Sequence, residues 1–230
     1  MIDTGLADLP MYPDVIDMGA IERSKPILVD ILAPGPEHDG TVWDKAFNHL
    51  QDALAIAEKG DVILVAQGVY YPDRSLADPT GSGDPTAAFE LIDSVILRGG
   101  YAGGSQADPS IRDIQSYPTI LSGDLLGNDT PVTDPAQMFI DPTRSDNCYH
   151  VLTSESTGER TELSGFTVAG GMAVGADPDN AGGGVRMASS NPTISNCSFE
   201  YNAAEYGGAV YNSTSTPVFN DSLISVSIAS

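Results

Sequence analysis

GGGVRMASSNPTISNCSFE, residues 182–200, is followed at an offset of 25 residues by GGAVYNSTSTPVFNDSLIS, residues 207–225. The two copies share a glycine pair, a valine and an Asn-Pro or Thr-Pro step. Apolar residues then align, Ile194 with Phe219 and Phe199 with Ile224. This period, with three short strands in each repeat, predicts a parallel β-helix, a solenoid of stacked strands. Leucine-rich repeats have similar periods but need regular leucines, which are missing here.

Short apolar runs separated by turn residues continue this pattern upstream of the repeat. Strands are predicted at residues 27–31, 61–66, 69–71, 89–92, 95–97, 119–121, 149–153 and 163–168. Residues 102–117 and 125–147 are longer polar connections, predicted to be loops that project from the strands. The sequence therefore predicts an all-β domain over residues 27–230.

One helix is predicted at about residues 41–59. Trp43, Phe47, Leu50, Leu54 and Ala57 step by four, three, four and three, which places them on one helical face. Thr41 and Asp44 have the spacing of a capping box, and Gly60 is a stop signal. We expect this helix to cap the open N-terminal end of the solenoid, where bare strand edges invite aggregation.

The chain is strongly acidic. Ten Lys and Arg residues against 32 Asp and Glu residues give a formal net charge of −22. Such a field repels nucleic acid and anionic membrane surfaces, so neither is expected as a partner. No apolar stretch of about 18 residues or more is present, so no membrane insertion is expected.

The two cysteines, Cys148 and Cys197, are too few for a disulfide framework and lack zinc-ligand spacing. Packing as small buried hydrophobes explains both positions, with a Cys148–Cys197 disulfide as the less favoured alternative.

Several segments resemble known proteins. Residues 50–54 and 60–70 look like the opening segment of pectin-lyase-like β-helix proteins. Residues 95–101, 118–124, 147–151, 163–168 and 192–199 are similar to bacterial right-handed parallel β-helix proteins with polymorphic outer-membrane-protein-type repeats. The likeness spans about residues 27–222. It implies a secreted or cell-surface protein, often without a demonstrated enzymatic role.

Residues 1–26 are rich in Pro and Asp and have no periodicity. Within them, residues 16–22 look like the short motif that closes such arrays. The resemblance therefore predicts that residues 1–26 are the tail of a preceding array and that the chain is a fragment, truncated at its C-terminus. No signal peptide is visible at Met1, which carries little weight for a fragment. The alternative is a complete small protein with an irregular N-terminal segment.

A polysaccharide lyase is the sharpest enzyme hypothesis for this fold. It needs a basic side chain and neutralisation of the substrate carboxylate. Arg98 and Arg186 on predicted strands, and Lys45 and Lys59 on the predicted helix, form no basic cluster in the sequence. A glycoside hydrolase needs two placed carboxylates, a signal without specificity among 32 acidic residues. His150 is predicted to be a structural strand residue rather than a general base.

Residues 124–130 offer oxygen ligands for calcium at Asp124, Asn128 and Asp129, and Asp177 and Asp179 offer two more. The one-three-five spacing of an EF-hand is absent, and turns stabilised by Asp and Asn side chains explain both loops. The sequence therefore predicts no cofactor, with calcium as the weaker alternative.

The favoured function is a non-catalytic secreted or cell-surface scaffold or adhesion protein, whose partners are polysaccharides or other cell-surface components. A lyase or another carbohydrate-active enzyme of the pectin-lyase-like fold is one alternative. A carbohydrate-binding module is the other, and it predicts exposed aromatic residues on one face. The candidates are Tyr101, Tyr201, Tyr206 and Tyr211.

Overall fold

A computed structural model describes residues 25–230. This part of the chain is an all-β fold of parallel sheets with one α-helix and no closed barrel. Residues 1–24, with the array-closing motif predicted at residues 16–22, lie outside the described residues.

Eighteen strands form four sheets, and all the strand pairings within them are parallel. The six-stranded sheet has the spatial order β1 (Ile27–Val29), β2 (Val62–Ala66), β5 (Ile96–Tyr101), β8 (Glu162–Ser164), β12 (Thr193–Ser195) and β16 (Val218–Asn220). The five-stranded sheet has the order β3 (Gly68–Tyr70), β6 (Thr119–Ser122), β9 (Thr167–Ala169), β13 (Ser198–Glu200) and β17 (Leu223–Ser225). The four-stranded sheet has the order β4 (Phe89–Leu91), β7 (Leu152–Glu155), β11 (Val185–Ala188) and β15 (Val210–Ser213). The three-stranded sheet has the order β10 (Met172–Ala173), β14 (Ala203–Ala204) and β18 (Ile228–Ala229).

The 25-residue repeat sets the register of the last strands. Ile194 is paired with Phe219, and Phe199 with Ile224, so the alignment predicted from the sequence is confirmed. The repeat contains four strands rather than the predicted three, because a two-residue strand, Ala203–Ala204, pairs with Ile228–Ala229. A strand this short leaves no periodicity to read in the sequence.

One predicted strand and one apolar stretch of the repeat are each split in two. Residues 163–168 are divided between β8 and β9 at Gly165, which has a φ of 81°. Residues 193–199 are divided between β12 and β13 at Asn196, which has a φ of 52°. Glycine and asparagine tolerate this left-handed conformation, which redirects the chain from the six-stranded to the five-stranded sheet.

The predicted helix over residues 41–59 is shorter than expected. A 3₁₀ turn covers Trp43–Lys45, and the α-helix, α1, covers only Leu50–Ile56. Between them, the Phe47 N–H donates to the Leu28 carbonyl at 2.9 Å and the Phe47 carbonyl accepts from the Asp30 N–H at 2.8 Å. Those bonds hold residue 47 against β1 in extended conformation, so no helix can pass through it. The Thr41 N–H bonds to the Asp39 carboxylate at 3.0 Å instead of taking part in a capping box.

Helix α1 nevertheless covers one end of the sheets. Leu50, Ala53 and Leu54 are buried on one face, and the helix packs against β1 and β4, the end strands of their sheets. Within residues 25–230, neither this seven-residue helix nor any other has the length and apolarity that a membrane crossing requires.

The core is a set of apolar ladders in which paired residues from successive strands lie side by side. Leu97, Leu163 and Ile194 form one ladder in the six-stranded sheet, and all three are buried. Burial of each such side chain contributes about 1.5–3 kcal/mol. Phe219 continues this ladder but is 38% exposed, because no described strand pairs with the far side of β16.

Cys148 and Cys197 are both buried and free. The Cys148 thiol lies 3.2 Å from the His150 carbonyl, and the Cys197 thiol lies 3.3 Å from the Ser195 carbonyl. Both residues therefore pack as small hydrophobes, as predicted, and the alternative disulfide is not formed.

Candidate functional site

A cleft of about 460 Å³ lies beside the four-stranded sheet. It is lined by residues of β11 and β15 and of two connecting segments. Among its lining residues are Asp177, Asn180, Arg186, Tyr206 and Tyr211. Two of the four tyrosines predicted as carbohydrate contacts therefore meet in one place, together with one of the predicted basic candidates.

Glycine turns bring the connecting segments close to the sheet. Gly182 has a φ of 80°, and a Cβ atom there would lie 2.9 Å from the Cβ of Tyr211. The Gly182 N–H donates to the Tyr206 carbonyl at 2.9 Å, and the Tyr206 N–H donates to the Asn180 carbonyl at 3.1 Å. The backbone bonds fix the wall of the cleft, and only glycine leaves room for it at position 182.

Arg186 and Tyr211 occupy paired positions on β11 and β15. The Arg186 guanidinium donates from Nη1 to Glu155 Oε1 at 2.8 Å, and its side chain is only 19% exposed. The Asn180 amide donates to Glu205 Oε2 at 3.0 Å. The polar groups of the cleft are thus held in place by carboxylates on the neighbouring segments.

The two aromatic side chains of this cleft are accessible, as is Asp177. Tyr206 is 59% exposed and Tyr211 is 36% exposed. An exposed phenol ring presents an apolar face and a polar edge, which is the combination that sugar rings and amines contact.

His150 contacts the glycine turn beside the cleft. Its ring is buried, with Nδ1 3.0 Å from the Gly182 carbonyl and Nε2 3.5 Å from Asp179 Oδ1. Burial lowers the pKa of His150, against the opposing influence of the Gly182 carbonyl and Asp179. The imidazole is therefore neutral near pH 7 and acts as a structural contact to the glycine turn.

The other two candidate tyrosines lie elsewhere. Tyr101 packs against Trp43, with ring centroids 6.0 Å apart. Tyr201 lines a second, smaller cleft of about 270 Å³ beside residues 123–147. Neither shares the cleft of Tyr206 and Tyr211.

In the loop predicted as a weak calcium candidate, side-chain oxygen atoms already accept hydrogen bonds from within the protein. The Asp124 carboxylate accepts the N–H groups of Asn128 and Asp129, at 3.0 and 2.9 Å. The Asn128 amide lies 3.4 Å from Asp146 Oδ1. Among the residues that the structure describes, no group of three or more His, Cys, Asp and Glu side chains is arranged to hold a metal ion.

Asp129 is engaged with a buried arginine that sequence reasoning missed. Arg144 is 3% exposed at its side chain, and its Nη1 atom lies 3.2 Å from Asp129 Oδ2 and 3.2 Å from the Tyr201 carbonyl. The Asn147 amide also donates to Asp129 Oδ2, at 3.0 Å. Burial raises the pKa of Asp129 to about 6, more than Asn147 and Arg144 lower it. Irregular loops bring these residues together, so no spacing in the sequence could reveal the contact.

The remaining basic candidates for lyase chemistry are ion-paired on separate elements. Arg98 on β5 lies 3.4 Å from Glu162, Lys59 lies 2.7 Å from Asp93, and Lys45 lies 2.6 Å from Glu37. The structure does not bring them to the cleft around Arg186.

No protein-family model, no curated protein and no solved structure matches this chain.

Proposed function

We propose that the chain forms a right-handed parallel β-helix that serves as a non-catalytic scaffold or adhesive surface of a secreted or cell-surface protein. The cyclic order of its strands supports the solenoid. Strands β11, β12, β13 and β14 visit the four-, six-, five- and three-stranded sheets in turn, and β15 to β18 repeat that order 25 residues later. Crossover connections between parallel strands are right-handed in nearly all proteins, which supports the hand.

The proposal that the protein is non-catalytic rests on the ion pairs of the candidate basic side chains. Arg98, Arg186, Lys45 and Lys59 each face a different carboxylate. A lyase base must be free to take a proton and must lie beside a group that neutralises the substrate. Ion pairs with separate carboxylates on different elements favour a solvated surface instead.

The experiment is incubation with a panel of uronate and neutral polysaccharides, following the absorbance of unsaturated products and the release of reducing ends. We expect no turnover by the purified chain. Turnover that Arg98→Ala or Arg186→Ala abolishes would refute the proposal in favour of the lyase alternative.

Carbohydrate binding without catalysis is the second candidate, and one observation favours it: Tyr206 and Tyr211 are both exposed within one cleft. Tyr206→Ala and Tyr211→Ala should weaken binding to an oligosaccharide array. Tyr117→Ala is the matched control, since Tyr117 is a partly exposed tyrosine outside this cleft. Equal loss in all three variants, or no binding by the parent chain, would count against this candidate and leave the scaffold proposal untouched.

A further inference from the structure

The cleft of Tyr206 and Tyr211 is surrounded by more negative than positive charge. Asp177 lines it, Glu155 contacts its arginine, and Glu205 contacts its asparagine. Arg186 is the cation among its lining residues. Three carboxylates against one guanidinium leave a local formal charge of about −2, on a chain whose net charge is −22.

Arg186 is not free to receive an anion. Its Nη1 atom is bonded to Glu155 at 2.8 Å, and most of its side chain is buried. A polyuronate in this cleft would meet the carboxylates without a free counter-charge. An uncharged ligand would be tolerated there, and a cation would be attracted.

Aromatic and acidic groups together have a defined ligand chemistry. The face of a phenol ring attracts an ammonium group, and it also stacks on an apolar ring face. Carboxylates add a charge-assisted hydrogen bond to the ammonium group. A sugar ring that carries an ammonium group satisfies both the tyrosines and the carboxylates.

We infer that this cleft binds a chain of amino sugars, with a sugar ring against Tyr206 and Tyr211 and its ammonium group facing Asp177. This inference rests on the carbohydrate-binding candidate and specifies its ligand. In this inference the two tyrosines contact the sugar ring, and the carboxylates of Asp177, Glu155 and Glu205 favour a positively charged ligand.

The test is calorimetric titration of the full chain with three matched oligosaccharides: a glucosamine tetramer, its N-acetylated counterpart and a galacturonate tetramer. We expect the glucosamine tetramer to bind about three- to tenfold more tightly than the N-acetylated one. The galacturonate tetramer should not bind measurably. Equal affinity for the first two would overturn the inference while preserving the carbohydrate-binding candidate. No binding by any of them would also overturn the inference, and the oligosaccharide array then decides the carbohydrate-binding candidate.

Two variants locate the charge selection. Asp177→Asn should weaken glucosamine binding by about three- to tenfold and leave binding of the N-acetylated tetramer unchanged. Glu90→Gln is the control, because Glu90 is an exposed carboxylate of β4 in the same sheet but outside the cleft. Equal effects of the two variants would mean that the general field of the protein, not the cleft, attracts the ligand.

A tetralysine peptide separates specific binding from the attraction of any polycation to an acidic protein. Tyr206→Ala should weaken glucosamine binding by about threefold or more and tetralysine binding by less, because the peptide offers an ammonium group but no sugar ring to stack on the phenol. Parallel losses for the sugar and the peptide, or no loss for either, would overturn the assigned role of the tyrosine.

Discussion

Asn202 and Gly171, which immediately precede the paired strands β14 and β10, are joined by a hydrogen bond: the Asn202 Oδ1 atom accepts the Gly171 N–H at 3.0 Å. The Asn202 Nδ2 atom donates to the Val168 carbonyl at 2.9 Å, and the residue is fully buried. One side chain thus satisfies a donor and an acceptor that water cannot reach.

Asn202→Ala should lower the free energy of unfolding by about 2–4 kcal/mol, because two buried backbone groups lose their partners. Asn212→Ala is the matched control, since its exposed amide donates to the Ser215 carbonyl at 3.0 Å and water can replace it. That variant should lose less than about 1 kcal/mol. Urea titration followed by circular dichroism measures both. Comparable losses would show that burial is not what makes the Asn202 contact important.

Phe199→Ala should lower the free energy of unfolding by about 3–5 kcal/mol, because it leaves a cavity in a closed ladder. Phe199 is fully buried between Val168 and Ile224. Phe219→Ala removes the same side chain from a position that is 38% exposed, and should cost less than half as much. Thermal unfolding of the two variants makes the comparison. An equal decrease would contradict the burial difference between these positions.

Gly182→Ala should lower the free energy of unfolding by roughly 2–4 kcal/mol. An alanine at a φ of 80° is strained by about 1–2 kcal/mol, and its Cβ would also lie 2.6 Å from the Val185 carbonyl oxygen. Gly83→Ala has a similar φ of 69° with nothing within 4 Å, so it isolates the backbone strain. The variant at position 182 should also weaken whatever the neighbouring cleft binds. Identical stability of the two variants would mean that the close approach at Gly182 relaxes freely.

The pKa of Asp129, raised to about 6, makes a testable contribution to pH dependence. Between about pH 4 and 6 the folded chain keeps a proton that the unfolded chain has released, so this group's contribution to stability is lost as pH rises. Relative to Asp129→Asn, the wild type should therefore lose roughly 1–3 kcal/mol between pH 4 and pH 7. Urea titrations across this range, with an NMR titration of the Asp129 carboxyl, test it. A carboxyl that titrates below about pH 4 would contradict the dominance of burial over the Arg144 ion pair.

Both thiols should be unreactive in the folded protein. Burial raises the pKa of Cys197 to about 11 and that of Cys148 further. A thiol reagent should therefore modify neither at pH 8 and both after unfolding, as counted by mass spectrometry. Cys148→Ala and Cys197→Ala identify the site of any native-state reaction. Rapid modification of either thiol without unfolding would contradict its burial.

The sequence predicted which positions of the repeat are paired but not every local backbone conformation within it. The pairing of Ile194 with Phe219 follows from the 25-residue offset and is confirmed. The split at Asn196 was missed, because a single left-handed residue leaves an apolar run unchanged. Phe47 was assigned to a helix because its spacing fits one, but its backbone bonds to Leu28 prevail over that local preference.

The candidate site shows the same division. Tyr206 and Tyr211 were both candidates, but their meeting depends on the glycine turn at Gly182. The pair of Arg186 and Glu155 depends on a register between β7 and β11 that spans an insertion. The approach of Tyr206 to Tyr211 and the contact of Arg186 with Glu155 cannot be predicted from sequence spacing. Two paired strands can be joined by connections of very different lengths.

The constant register between β11 and β15 places equivalent side chains at a regular spacing on this surface. Corresponding residues of adjacent parallel strands lie about 4.8 Å apart, so Arg186 and Tyr211 occupy consecutive positions of this spacing. A polymer lying across the strands would place its repeating units opposite equivalent side chains only if its own repeat length is a multiple of that spacing. Inserting or deleting a whole 25-residue unit would change the number of strands in each sheet without changing their spacing. A partial insertion would instead project from the sheets as a loop.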